Sequence, residues 1–197
     1  MKLEVRRAEA RDLPGVRKMV DEYIAVDYYS EEELEDMIRG DGNLLYVVAD
    51  EDRDSEIVSY FYSFMTTLDE ALPLMHVSEK PEALAQYDGN TPVGVYKTTS
   101  TADGYRNLGL ATSFIRGLEP EFRKRGAKMI IATALRPLGR EVPMRHILHD
   151  SGFVPIGEVL RPWVEMTLYC PYCQKTHCIC DAVFYVKYLE EGGDSLG

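Results

Sequence analysis

Thr98–Ile115 reads TTSTADGYRNLGLATSFI, and the interpretation of the chain turns on it. A strand-like approach, PVGVYKTTST from Pro92, runs into a short loop. An amphipathic helix is expected to start near Gly109 and run to about Arg125, where Gly126 ends it. The loop carries Arg106-x-x-Gly109-x-Ala111. Small residues there let backbone approach a ligand with no Cβ in the way. The first N–H groups of the helix have no intrahelical partner and carry partial positive charge, which suits a diphosphate. The spacing is neither that of a Walker loop nor that of a dinucleotide fingerprint. Glycines serving only turn geometry are the other reading of so short a motif, and the rest of the chain decides between the two.

Upstream, Lys2–Glu9 alternates apolar and charged residues as a strand does. Asp12 is placed to cap a helix whose apolar face is Leu13, Val16, Val20, Tyr23 and Ile24. Ser30 and Glu33 have capping-box spacing ahead of a second helix, with Leu34, Met37 and Ile38 as its stripe. Leu44–Ala49 and Ile57–Met65 read as a hairpin of strands. The stretch 66–91 fits no single element and is read as an insertion, with a helical piece around Glu79–Gln86. Downstream, Met129–Leu135 reads as a buried strand, Met144–Asp150 as a short helix and Phe153–Leu160 as a strand. Trp163–Tyr169 and Ala182–Leu189 are strand-like and flank a cluster of cysteines, which is expected to close the tip of a long hairpin at about 161–181. The final residues, 191–197, read as a mobile tail after one domain spanning 1–190.

This order of elements predicts an α/β fold: a mixed, mostly antiparallel sheet flanked by helices. With the Arg106-x-x-Gly109-x-Ala111 loop, it resembles the GCN5-related N-acetyltransferases from first strand to last. The Tyr105-Arg106 pair, the Gly152-Phe153 step and the closing Asp181–Leu189 segment add to the resemblance. Two segments depart from the minimal fold, 66–91 and roughly 161–181.

The resemblance implies acetyl transfer from acetyl-CoA to an amine. It implies that the backbone N–H of Thr99 faces the thioester oxyanion and that the pantetheine arm pairs with Thr99–Thr101. The diphosphate would lie on the amides of Asn107, Leu108, Gly109, Leu110 and Ala111. The Thr112 hydroxyl and the Arg106 charge are possible additions. An amine must be neutral to attack, so a general base is expected, direct or through water. Glu56 and Tyr96 are the candidates. Where the family often has a tyrosine to protonate the leaving thiolate, this chain has Leu148; where it often has an asparagine, Glu141. His146 and His149 lie nearby, three apart and so on one helical face, and are candidate substitutes for that acid.

All four cysteines fall in Cys170-x2-Cys173-x4-Cys178-x-Cys180. A Cys-Pro-x-Cys knuckle and four thiols within one short segment suit a tetrahedral, structural zinc, with His177 an alternative ligand to Cys178. Reduced thiols or a redox pair are the other readings.

The net charge of −11 argues against a general nucleic-acid binder. No run approaches a membrane span, and the first residues lack the apolar core of a secretory signal, so a cytoplasmic protein is expected. A homodimer is left open. Two rivals to an enzyme stand beside it: a non-catalytic acyl-CoA-binding or regulatory protein on the same fold, and a zinc-knuckle interaction protein.

Overall fold

The computed structural model describes residues 1–189; the tail expected at 191–197 lies outside the described residues. The alternating N-terminal segment forms β1 (Leu3–Arg7), followed by α1 (Leu13–Tyr23) and α2 (Glu31–Arg39). Ser30 and Glu33 close the expected capping box, with Glu33 N–H donating to Ser30 Oγ at 3.1 Å and Ser30 N–H to Glu33 Oε2 at 2.7 Å. Asp12 makes no side-chain cap to α1. Its carboxylate instead accepts from Arg6 at 2.6 Å and from the Glu9 N–H at 2.8 Å, tying β1 to the start of α1.

The strands β2 (Asn43–Asp50) and β3 (Glu56–Thr67) form the expected hairpin. They continue through β4 (Pro92–Thr101), β5 (Met129–Arg136), β6 (Val154–Val159) and β9 (Asp181–Tyr188) into a seven-stranded sheet ordered β1-β2-β3-β4-β5-β9-β6. β4 and β5 pair in parallel and the other neighbours are antiparallel. Parallel pairing requires a crossover, and α4 (Leu110–Lys124) supplies it. Gly94 lets α4 lie close on β4: a Cβ there would stand 2.7 Å from the Phe122 ring. The short helix α5 (Arg145–Asp150) shares the α4 face, through Leu148 and Phe153.

The opposite face is covered by α1 and α2 over β2 and β3, and by the 66–91 segment over β4, β5 and β9. Here the structure corrects the sequence reading. The helix is α3, Leu68–Leu74, and the stretch around Glu79–Gln86 keeps only a 3-10 turn at Glu82–Leu84. Glu70 reaches back to the Thr66 hydroxyl and the Thr67 N–H, starting α3 directly at the end of β3. Leu68, Ala71, Leu72, Met75, Val77 and Leu84 pack under Val93, Val95, Met129 and Ile131. The insertion therefore supplies six of the twelve buried residues in the cluster over β4, β5 and β9. Its periodicity is hidden because α3 is short and is interrupted by Pro73.

A second correction concerns the cysteine segment. The two flanking segments do not pair with each other. β9 inserts between β5 and β6, while β7 (Thr167–Cys170) pairs with β8 (Lys175–His177) in a separate two-stranded ribbon. Trp163 lies in a turn, with Val164 N–H donating to Arg161 O and Met166 N–H to Trp163 O. No helix among the described residues is long and apolar enough to cross a membrane.

Candidate active site

The centre of the molecule is a place where the sheet opens. β4 and β5 pair only from Val93↔Met129 to Tyr96↔Ala132, yet β4 continues to Thr101 and β5 to Arg136. Beyond Tyr96 the two strands diverge. A bulge marks the spot: Tyr62 faces Thr98 and Ser63 faces Tyr96, so Lys97 has no partner on β3.

The bulge also decides which backbone groups enter the gap. Ala102 N–H donates to Val58 O at 2.9 Å, on the β3 side. Backbone groups alternate along a strand, so Ser100 and Thr98 also face β3, and the N–H groups of Thr99 and Thr101 face the gap. The Thr99 hydroxyl donates to Tyr60 O at 2.8 Å, which leaves only its backbone for that gap.

A cavity of about 200 Å³ fills the opening. Its floor is Tyr96–Thr99 and Ala132–Leu135. Ile115, Met144 and Leu148 bound it on the α4 face. Tyr23–Ala25 and Tyr28, from α1 and the connection to α2, bound it on the other, and Trp163, Leu168, Cys170, Tyr172 and Cys178 form an outer wall.

Past the end of β4, the loop 102–109 leads into α4. Gly104 (φ +85°), Asn107 (φ +63°) and Gly109 (φ +75°) all take left-handed backbone. Such conformations turn successive N–H groups toward one concavity. Gly109 is the N-cap and adds no side-chain cap, and the first intrahelical bond runs from Ser113 N–H to Gly109 O at 2.9 Å. The N–H groups of Leu110, Ala111 and Thr112 therefore have no intrahelical acceptor. Tyr105 holds the loop down, its buried hydroxyl donating to Asp50 Oδ2 at 2.5 Å. Arg106 turns away from the helix start: it donates to Thr101 O at 3.2 Å, pairs with Asp103 at 3.0 Å and lies 5.4 Å from the Tyr23 ring centre.

The polar side chains singled out in the sequence fare unequally. Glu56 lies at the β2–β3 turn, bonded to Lys18 at 2.9 Å and Arg53 at 3.1 Å, and does not line the cavity. The Lys18 hydrogen bond holds its carboxyl below the usual range. His146 and His149 are exposed and also lie outside the lining. Tyr96 does line the cavity, but its hydroxyl donates to Ile115 O at 2.6 Å. Its ring packs against Phe61 (5.0 Å), Phe153 (5.6 Å) and Phe122 (5.7 Å). Burial raises its pKa, so it stays protonated and is unsuited to act as a base. Leu148 is buried in the cavity wall, where it offers no proton.

Sequence reasoning missed Lys97. It lines the cavity, and burial lowers its pKa to about 8. Its Nζ donates to Leu74 O, at the C-terminal end of α3, at 2.5 Å. The available signal was a lone charge in the strand PVGVYKTTST, which no motif flags.

The cysteine segment gathers as expected. The Sγ atoms of Cys170, Cys173, Cys178 and Cys180 all lie within 4.8 Å of one another, and Cys173 and Cys178 are 4.0 Å apart. A tetrahedron of thiolates with metal–sulfur bonds of about 2.3 Å has edges of about 3.8 Å, so one cation fits. Backbone N–H groups of Ile179 and Lys175 reach Cys173, that of Cys180 reaches Cys178, and that of Leu138 reaches Cys180. Burial raises the Cys178 and Cys180 thiols, the latter to about 11, and a bound cation reverses that tendency. His177 stands apart, its Nδ1 lying 3.0 Å from Val164 O, and is not in the cluster. The wall is braced from outside by an edge-on contact of His76 with Trp163 at 5.7 Å.

Neither a protein-family model nor a curated protein sequence matches the chain. Solved structures do match. NAA60 of Arabidopsis thaliana, in complex with acetyl-CoA, superposes with a TM-score of 0.74 at 12% identity, over 96% of this chain and 100% of that one. The ribosomal-protein-S18-alanine N-acetyltransferase of Escherichia coli gives 0.63 at 13%, over 100% and 99%. An acetyltransferase of the GNAT family from Streptococcus pneumoniae gives 0.58 at 14%, over 95% and 100%. With the parallel β4–β5 pair that diverges, the crossover helix α4 and β9 set between β5 and β6, this likeness gives the chain the fold of the GCN5-related N-acetyltransferases.

Proposed function

We propose that the protein is an N-acetyltransferase that moves the acetyl group of acetyl-CoA to an amine. The observation that carries this reading is the divergence of β4 from β5, which turns the Thr99 N–H into an apolar cavity and leaves the Thr101 N–H facing the gap beyond it. Acyl transfer needs a donor fixed where negative charge develops on the carbonyl oxygen. The Thr99 N–H fills that role. The pantetheine arm pairs along Thr99–Thr101 in the place β5 has vacated. The diphosphate sits on the N–H groups of Asn107 to Ala111, with the Thr112 hydroxyl beside them and Arg106 contributing charge at longer range.

The neutral amine enters from the side of Tyr23–Tyr28 and attacks the carbonyl carbon. The C–N bond forms as the C–S bond breaks. The amine gives up a proton and the CoA thiolate takes one. No carboxylate or histidine lines the cavity among the described residues, so water carries both protons. The same observation favours a second reading, an acyl-CoA-binding protein that does not transfer.

Cys170, Cys173, Cys178 and Cys180 are the residues that would hold a structural zinc ion, through their four thiolates. Such a site leaves no open position for substrate. Its work is to fold a ribbon with little core of its own.

Titration calorimetry with acetyl-CoA, followed by free-thiol release across a panel of amines, tests the reading. Binding with transfer is expected. Binding without transfer would leave the second reading, and no binding would sink both. Elemental analysis of the purified protein checks for one zinc per chain.

A further inference from the structure

The cavity has an unusual charge balance. Of the residues that line it, Lys97 alone carries a formal charge at neutral pH, the thiols aside. Its surroundings are aromatic and aliphatic: Tyr28, Trp163 and Tyr172 on the walls, Ala132–Leu135 on the floor. A partly buried ammonium is costly unless it is paired. Yet Lys97 has no ion-pair partner among the described residues, and Leu74 O takes only one of its three N–H donors. Glu33 acts on it only through its more distant charge.

The position of that charge is set by the backbone. Lys97 is the bulged residue of β4, at the point where β5 departs and two residues before Thr99. Its Nζ reaches the end of α3, on the face of the sheet opposite α4. The helix start that suits the diphosphate belongs to α4. The phosphates of CoA are thus served elsewhere, and the anion that Lys97 awaits comes with the other substrate.

We propose that the acceptor is a small amine that also bears a carboxylate, an amino acid with an apolar or aromatic side chain, whose carboxylate binds Lys97 while its amine faces the thioester carbonyl. This rests on the acetyl-transfer reading above and narrows it. Lysine side chains, polyamines and other multiply cationic acceptors meet one positive charge and no carboxylate in this cavity. The amino-acid nitrogen bonds to the acetyl carbon, the C–S bond breaks, the nitrogen loses a proton and the CoA thiolate gains one.

The test compares L-phenylalanine, L-leucine and L-methionine with their carboxamides, by free-thiol release from acetyl-CoA. The carboxamides keep the amine and the side chain and lose only the charge. Their amines are also less basic, so chemistry alone favours them. In the unaltered protein the acids are expected to have kcat/KM at least about tenfold above the amides, the order of effect of one charge-assisted contact. Lys97→Met should bring the ratio to one or below, and Lys97→Arg should keep most of it. Amides used as well as acids would overturn the proposal, as would a preference that survives Lys97→Met. Should Lys97→Met fail to fold, the acid-to-amide ratio in the unaltered protein and in Lys97→Arg still decides. Acetyl-CoA binding by calorimetry with no transfer to any of the three acids removes this inference alone. Absence of acetyl-CoA binding removes the reading beneath it as well.

Discussion

The two sides of the cavity are made of different material. The side assigned to acetyl-CoA is backbone: the N–H groups of Thr99 and Thr101, left-handed residues at 104, 107 and 109, and an uncapped helix start. The side assigned to the acceptor is side chain: Tyr28, Trp163, Tyr172, Lys97 and the wall behind them that the cysteines hold. Backbone groups are present whatever residue stands there, so the first side tolerates sequence change that keeps φ and ψ. A side-chain surface changes with every substitution. This is why the fold can match solved structures at 12% identity.

The contrast can be broken most sharply at Thr99. Thr99→Pro deletes the N–H that faces the gap and removes no backbone bond to β3, because that N–H is not part of the ladder; the hydroxyl bond to Tyr60 O is lost in Thr99→Ala as well, so the comparison of the two isolates the N–H. It should lower kcat by about 10²–10³, as the loss of an oxyanion donor does, while Thr99→Ala changes kcat by only about a few-fold. Equal effects of the two in steady-state assays would mean that the side chain matters and the backbone reading fails.

Removing the zinc proposed at the cysteine cluster tests the other side. A strong chelator should abolish amide protection across Thr167–His177 and raise the KM for the acceptor. Sites this independent couple by no more than about 0.5 kcal/mol, so the Kd for acetyl-CoA should stay within about twofold. Hydrogen exchange and calorimetry on the same sample check both. Unchanged protection after confirmed metal loss would remove the cysteine cluster from the architecture of the site.

Gly109→Ala probes the helix start more gently. A Cβ at Gly109 meets nothing within 4 Å, so any effect comes from φ of +75°. Holding a non-glycine residue there costs about 1–2 kcal/mol, which predicts roughly tenfold weaker acetyl-CoA binding and an unchanged acceptor KM. Tyr96→Phe is the smallest change. It removes the hydrogen bond to Ile115 O and should cost about 1 kcal/mol of stability in denaturant unfolding. The kcat should not move, since Tyr96 clamps α4 and handles no proton.

Much of the frame was legible because its cues are local. The Ser30–Glu33 capping box, the alternation of β1 and the apolar run of β5 each report a structure that neighbouring residues decide. The cysteine spacing likewise named a cluster that the fold assembled. The failures share a cause in the opposite sense. α3 is one short helix broken by Pro73, too brief for periodicity to show. The pairing of β7 with β8, and of β9 with β5 and β6, depends on which strands meet, which strand propensity does not encode. Glu56 looked like a base until its partners Lys18 and Arg53 came into view, and Lys97 was not singled out at all.

By itself, then, the sequence determined the type and order of the main elements, the glycine that opens α4 and the four thiols that gather. Those follow from steric limits on φ, from the period of apolar residues and from ligand spacing. Tertiary structure alone decided that β4 leaves β5 after Tyr96, that the Thr99 N–H singled out by the family resemblance is turned to the gap, and that Lys97 is the one charge at the cavity floor. Each of these depends on contacts between strands far apart in the chain, and on a single bulged residue that shifts which groups point inward.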